Sequence, residues 1–240
     1  MTSPVGAIFN AMLSATSQRN EGAVFLDDAQ RQRLLRACFD AYYADTDADV
    51  VFDTNRQWTV KLPALTTLFP DCRVICCVRN PAWIVDSIES LVRRNAFELS
   101  GIFGLEPGGT VYSRAEGLSK GDGMLGFAFN ALREAVYGPH ADRLLLLRYE
   151  TLTANPLAAR AAVYNFIGQE LFTHDPAHIE PCYDMVEFDA RLGTPGLHEV
   201  SRMVQPRTRP TMLPPDLFNR YASDTFWDDP AQVPTSVQII

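Results

Sequence analysis

Lysine is nearly absent from this chain: only Lys61 and Lys120 stand beside nineteen arginines. Acidic residues outnumber basic ones 29 to 21, giving a net charge of -8 and an isoelectric point near 5.0. That balance argues against a nucleic-acid binder or a polybasic membrane-surface protein, either of which presents a basic face. Long hydrophobic runs are missing too. None approaches the roughly 18 apolar residues of a spanning helix, and no signal-peptide pattern opens the chain, so a cytoplasmic location is expected. The five cysteines, Cys38, Cys72, Cys76, Cys77 and Cys182, are odd in number and scattered, which excludes a disulfide framework. Cys76 and Cys77 are adjacent in a strand pattern and leave opposite faces, so they do not share a metal; the cysteines are expected to be small buried hydrophobes, with no metal cofactor. There is no internal repeat, no low-complexity run and no G-x-x-x-x-G-K-[ST] sequence, the last counting against a P-loop kinase.

What is present is an ordinary globular composition, 47% hydrophobic and 21% charged over 240 residues, expected to form a single domain over residues 1–240. Val5, Ile8, Phe9, Met12 and Leu13 recur at helical spacing after Thr2-Ser3-Pro4. Asp27 and Gln30 form a capping-box pattern ahead of Leu34, Leu35, Cys38, Tyr42 and Tyr43. Residues 49–52 (DVVF) read as a short buried strand, and residues 59–69 as a helix despite Pro63. The run RVICCV, residues 73–78, reads as a strand covered on both faces; Asn80-Pro81 then caps a helix striped by Ile84, Val85, Ile88, Leu91 and Val92. Residues 99–123 hold seven glycines and read as a long mobile loop of the functional kind. A helix around Leu125 to Val136, a second apolar strand at Leu144 to Leu147 and a helix from Pro156 follow. Strands alternating with helices predict an α/β fold, a parallel sheet with helices on both faces. Residues 170–240 show no defensible periodicity and are expected to pack as an irregular segment on the same domain.

Ligands of open α/β sheets collect beyond the carboxyl ends of the strands, and three such ends are polar: Asp53-Thr54-Asn55-Arg56, Arg79-Asn80-Pro81 and Arg148-Tyr149-Glu150. Arg79 leads into a helix start whose unpaired amides favour an anion, and Ser87 lies about 9 Å further along that helix than Pro81. A guanidinium folded along the helix would meet that hydroxyl and hold one phosphate with it.

The segment LFPDCRVICCVRNPAWIVDSIES, followed by LLLLRYETLTANP, resembles the sulfotransferase family over roughly residues 50–168. The resemblance implies a P-loop NTPase-like sulfotransferase fold and transfer of a sulfuryl group from 3′-phosphoadenosine 5′-phosphosulfate to a hydroxyl or amine of a small-molecule acceptor. It places the donor's 3′-phosphate at Arg79 and Ser87 and its adenine near Tyr149, with Glu150 and Leu152 completing the second motif. Arg202, Arg207 and Arg209 would cover the 3′-phosphate as a C-terminal basic loop.

Two features depart from the family pattern. The glycine- and serine-rich 5′-phosphosulfate loop has no match, and Met1 begins in what resembles the helix after it. The chain as it stands is therefore expected to be N-terminally incomplete and to transfer sulfuryl groups poorly, or to be a nucleotide-binding protein without turnover. Where the family carries a lysine for the transferring group, Arg56 is the available cation. Asp53 reads equally as an acceptor base or a strand-end cap, and His198, near Arg202, is the candidate histidine base. Monomer and homodimer both remain open.

Overall fold

The computed structural model describes residues 3–103, 109–173, 175, 179 and 184–240, and divides into two compact units, Met1–Cys72 and Arg73–Ile240.

The first unit is helical. Helix α1 (Val5–Ala15) buries Val5 and Phe9, one turn apart on one face. Helix α2 (Asp28–Tyr42) starts from the full capping box, the Asp27 carboxylate accepting from Gln30 N while the Gln30 side chain accepts from Asp27 N. Helix α3 (Leu62–Leu68) is shorter than residues 59–69; Pro63 falls in its first turn, where no intrahelical amide is lost. Phe9, Leu35, Trp58, Leu65 and Leu68 form the core, with Phe9, Phe39 and Trp58 in mutual ring contact. The strand expected at residues 49–52 is not formed. Val50, Val51 and Phe52 are exposed, since a short apolar run becomes a strand only where a ladder partner takes up its backbone groups.

The second unit is α/β. Strand β1 (Val74–Val78) precedes helix α4 (Pro81–Arg94), then helix α5 (Val111–Ser119) and helix α6 (Met124–Val136). Strand β2 (Leu144–Arg148) leads into helix α7 (Tyr149–Ala154) and helix α8 (Pro156–Ile167), then helix α9 (Asp184–Arg191), helix α10 (Pro215–Ala222) and strand β3 (Gln238–Ile239). The sheet is parallel, in the order β1-β2-β3. β2 is central, and Leu144 to Leu147 are buried throughout. β1 is less covered than its apolar run predicts: Val74, Ile75 and Cys76 are half-buried and Cys77 is exposed, because β1 ends the strand order. Of the cysteines, Cys38 is buried and Cys72 half-buried; Cys182 lies outside the described residues.

Two further expectations are corrected. Within residues 99–123 the chain forms α5, capped by Thr110 and burying Ala115 and Leu118; residues 104–108 lie outside the described set. Glycine density hid a helix whose apolar residues recur at i, i+3. The C-terminal segment is also more regular than its sequence suggests. Leu213, Leu217 and Tyr221 pack α10 against Ala82, Val85 and Ile88 of α4, and the chain ends by adding β3 to the sheet.

Candidate nucleotide site

The parallel register pairs Val78 with Arg148, so the next residue of each strand, Arg79 and Tyr149, leaves the sheet side by side. The Arg79 guanidinium carbon lies 4.1 Å from the centroid of the Tyr149 ring, close enough for a cation–π contact. Its Nε is buried with no acceptor, and among the described residues no carboxylate pairs with it. Arg148, the neighbouring strand-end cation, is otherwise engaged: Nη2 donates to the Trp227 carbonyl at 3.0 Å, and Nε, itself buried without a hydrogen bond, is 3.4 Å from Asp228 Oδ1. One of two adjacent guanidiniums is thus spent on holding the C-terminal segment. The other is held against an aromatic ring with a buried donor unsatisfied, which is costly.

The start of α4 supplies less than its sequence suggests. Asn80 Oδ1 accepts from Ala82 N at 3.0 Å, the Asn80 carbonyl accepts from Trp83 N and Ile84 N, and Pro81 has no amide hydrogen. The helix start keeps its dipole but has no free amide for an anion, so the donors must come from side chains. Asn80 Nδ2 donates to the Ala222 carbonyl at 2.8 Å, which brings the end of α10 to this corner.

Ser87 is exposed on α4, and no contact joins it to Arg79. The guanidinium expected to fold along the helix turns instead to Tyr149. A cation from the C-terminal segment reaches the neighbouring side of α4: Arg209 pairs with the fully buried Asp86, and its guanidinium lies 5.6 Å from the centroid of the Trp83 ring. Arg202 and Arg207 are exposed, and neither makes an ion pair among the described residues.

Asp53 is not a free base. Its Oδ2 accepts from the Ser3 and Tyr43 hydroxyls and its Oδ1 from Trp58 Nε1 at 2.8 Å, so the carboxylate organises the first unit's core. Burial, then the hydrogen bond and charge of Asp53, push the Tyr43 phenol up to about 12. Because the folded pKa is raised, this contribution to stability is complete below the ordinary tyrosine pKa near 10 and is lost as pH rises from about 10 to about 12. A spectrophotometric titration should therefore show one tyrosine ionising near pH 12, shifted down in Asp53→Asn; a Tyr43 titrating near 10 in the folded protein would contradict this arrangement. Arg56 is exposed in the same unit with no ion pair among the described residues.

His198 is displaced from the Arg79–Tyr149 corner. Its Nδ1 is 2.5 Å from Asp189 Oδ1, and its backbone amide donates to Asp189 Oδ2 at 2.7 Å. The loop carrying it is fixed to the far end of α4, with Asn95 Nδ2 donating to the Pro195 carbonyl at 2.9 Å. Asn95 follows Pro81, the first residue of α4, by fourteen residues, about 21 Å at helical rise. Gly193 in that loop has φ +66°, and a Cβ there would sit 2.0 Å from the Leu99 carbonyl, so the turn requires glycine. A general base working beside Arg79 is not what this geometry offers; the buried Asp189 uses His198 to close the turn.

Sequence reasoning passed over the two buried acids of α4. Asp86 and Glu89 border the apolar stripe at i, i+3, a placement that demands either solvent or cations. Glu89 receives Arg114 on both oxygens, at 2.8 and 2.7 Å, and Arg93 at 2.8 Å, tying α5 to α4.

A family model described as "Sulfotransferase family" matches residues 9–174. The chain belongs to the sulfotransferase family. No curated protein and no solved structure matches it. The family assignment makes this a transferase fold at the level of sulfuryl transfer, and the mixed α/β architecture with its small parallel sheet agrees with it. The matched segment contains Arg79, Ser87 and Tyr149; Arg209, α10 and β3 lie beyond it. Among the described residues no helix is long and apolar enough to cross a membrane, and no cluster of three or more histidine, cysteine or acidic side chains could hold a metal ion.

Proposed function

We propose that this sulfotransferase takes 3′-phosphoadenosine 5′-phosphosulfate as donor and a hydroxyl or amine of a small molecule as acceptor. The observation that carries the reading is Arg79, a guanidinium stacked on Tyr149 with a buried, acceptorless Nε at the carboxyl edge of a parallel sheet. A 3′-phosphate supplies the missing acceptor, and the Tyr149 ring offers an aromatic face to the adenine. Ser87 adds a hydroxyl on the α4 flank, with Arg202 and Arg207 as exposed countercharges from the C-terminal segment. When bound, the donor supplies an activated sulfuryl group: the acceptor oxygen or nitrogen bonds to sulfur, the sulfur–oxygen bond to the 5′-phosphate breaks with its electron pair staying on the departing 3′-phosphoadenosine 5′-phosphate, and the acceptor proton passes to water. The roles assigned to side chains here are binding roles.

A second reading, nucleotide binding without turnover, is favoured by one observation. Of the two candidate bases, Asp53 is saturated with donors and His198 is anchored at the distant end of α4.

Calorimetry with 3′-phosphoadenosine 5′-phosphate and adenosine 5′-phosphate tests the donor assignment. The 3′-phosphate should improve affinity about ten- to hundredfold, equivalent to roughly 1.5 to 3 kcal/mol for a charge-assisted contact. Equal affinities would contradict it. Labelled-sulfate transfer to a panel of hydroxyl and amine acceptors then separates the two readings.

A further inference from the structure

Asp86 is fully buried, immediately precedes Ser87, and gathers three groups from the C-terminal segment. Its Oδ1 accepts from Thr211 Oγ1 at 2.7 Å and Met212 N at 2.6 Å, and its Oδ2 pairs with Arg209 Nη1. These partners lie more than 120 residues away in sequence, so one carboxylate fixes where the segment crosses α4. Leu213 continues the anchor by entering the hydrophobic cluster with Val85 and Ile88.

Trp83 and Ser87 are four residues apart on α4 and so share a flank, about 6 Å apart along the axis. Arg209 lies over the Trp83 ring, and its guanidinium meets no acceptor other than Asp86 among the described residues. A guanidinium has five N–H donors, so most of this one's capacity is unspent. Arg79 has turned to Tyr149. The cation held over Trp83, on the flank that Ser87 shares, is Arg209, and what holds it is Asp86.

We propose that Asp86 is a positioning residue for the donor site: it holds Arg209 over Trp83 so that the remaining donors of that guanidinium serve an anion at Ser87. The inference rests on the 3′-phosphate reading above. It carries a sign that a charge-only account reverses. Removing a carboxylate beside an anion site should strengthen anion binding through electrostatics alone. Removing a positioning carboxylate weakens it, because Arg209 is released.

The test is the affinity ratio between 3′-phosphoadenosine 5′-phosphate and adenosine 5′-phosphate, measured by calorimetry on the full chain. Asp86→Asn should lower that ratio about tenfold, Arg209→Ala should lower it similarly, and the double variant should lose no more than Arg209→Ala. A ratio that is unchanged or raised in folded Asp86→Asn overturns the proposal, since a purely structural role moves thermal stability and leaves the ratio alone. Should Asp86→Asn not fold, Arg209→Lys decides: it keeps a charge for Asp86 but loses the planar fork, so the ratio should still fall, and an unchanged ratio overturns the proposal. A wild-type chain that does not distinguish the two nucleotides overturns the donor reading and this one together. A wild-type chain that does, with variants that match it, overturns the Asp86 role alone.

Discussion

Replacing Glu89 with glutamine should lower the unfolding free energy by roughly 3 kcal/mol, the lower end of the range for breaking a buried ion pair, since Arg93 remains half exposed. Glu89 is 3% exposed and satisfies two arginines at once, so the amide would leave Arg114 facing a neutral partner inside the contact between α4 and α5. The same group sets an acid limit. Burial by itself would raise the Glu89 carboxyl, but the hydrogen bonds and charges of Arg114 and Arg93 outweigh it, and the net shift is below the usual glutamate value. With the folded pKa lowered, the stabilisation is present above the unfolded value near 4.5 and is lost as pH falls through the folded one. Urea denaturation at pH 7 and at pH 4 should show the wild-type advantage over Glu89→Gln shrinking as the medium is acidified. A difference below about 1 kcal/mol at pH 7 would mean that the pair is replaceable by solvent.

Arg79→Ala should weaken binding of 3′-phosphoadenosine 5′-phosphate ten- to hundredfold, about 1.5 to 3 kcal/mol, with little change in folding stability. Stability is spared because Arg79 forms no ion pair among the described residues and its one described partner is the Tyr149 ring. Arg79→Lys should recover only part of the loss, because an ammonium supplies a point charge without a planar fork or a stacking face. Calorimetry paired with thermal denaturation checks both halves. Unchanged affinity, or a loss of affinity that tracks a loss of fold, would reject the assignment.

The elements that carry this site were legible because continuous apolar runs mark β1 and β2, and Asn80-Pro81 marks the start of α4, all local signals. The meeting of Arg79 with Tyr149 was not, since it follows from a register between strands seventy residues apart. The same limit explains Asp53. A carboxylate after an apolar run suggests a base, and only the arrival of Ser3, Tyr43 and Trp58 shows it to be a structural acceptor. Helix α10 was readable in principle, because Leu213, Leu217 and Tyr221 keep a four-residue spacing around Pro214-Pro215; the surrounding prolines and charges obscured it. Strand β3 has two residues and no periodicity, so only the sheet itself could reveal it. Asp86 needed both ends of the chain's second unit, one supplying the acid and the other Arg209 and Thr211.

The most direct test of the account is a crystal structure of the chain soaked with 3′-phosphoadenosine 5′-phosphate. The account predicts the 3′-phosphate within hydrogen-bond distance of the Arg79 guanidinium, the adenine against Tyr149, and Arg209 still paired with Asp86 on the Ser87 flank. A nucleotide bound elsewhere, with Arg79 still stacked on Tyr149 and its Nε without an acceptor, would contradict it.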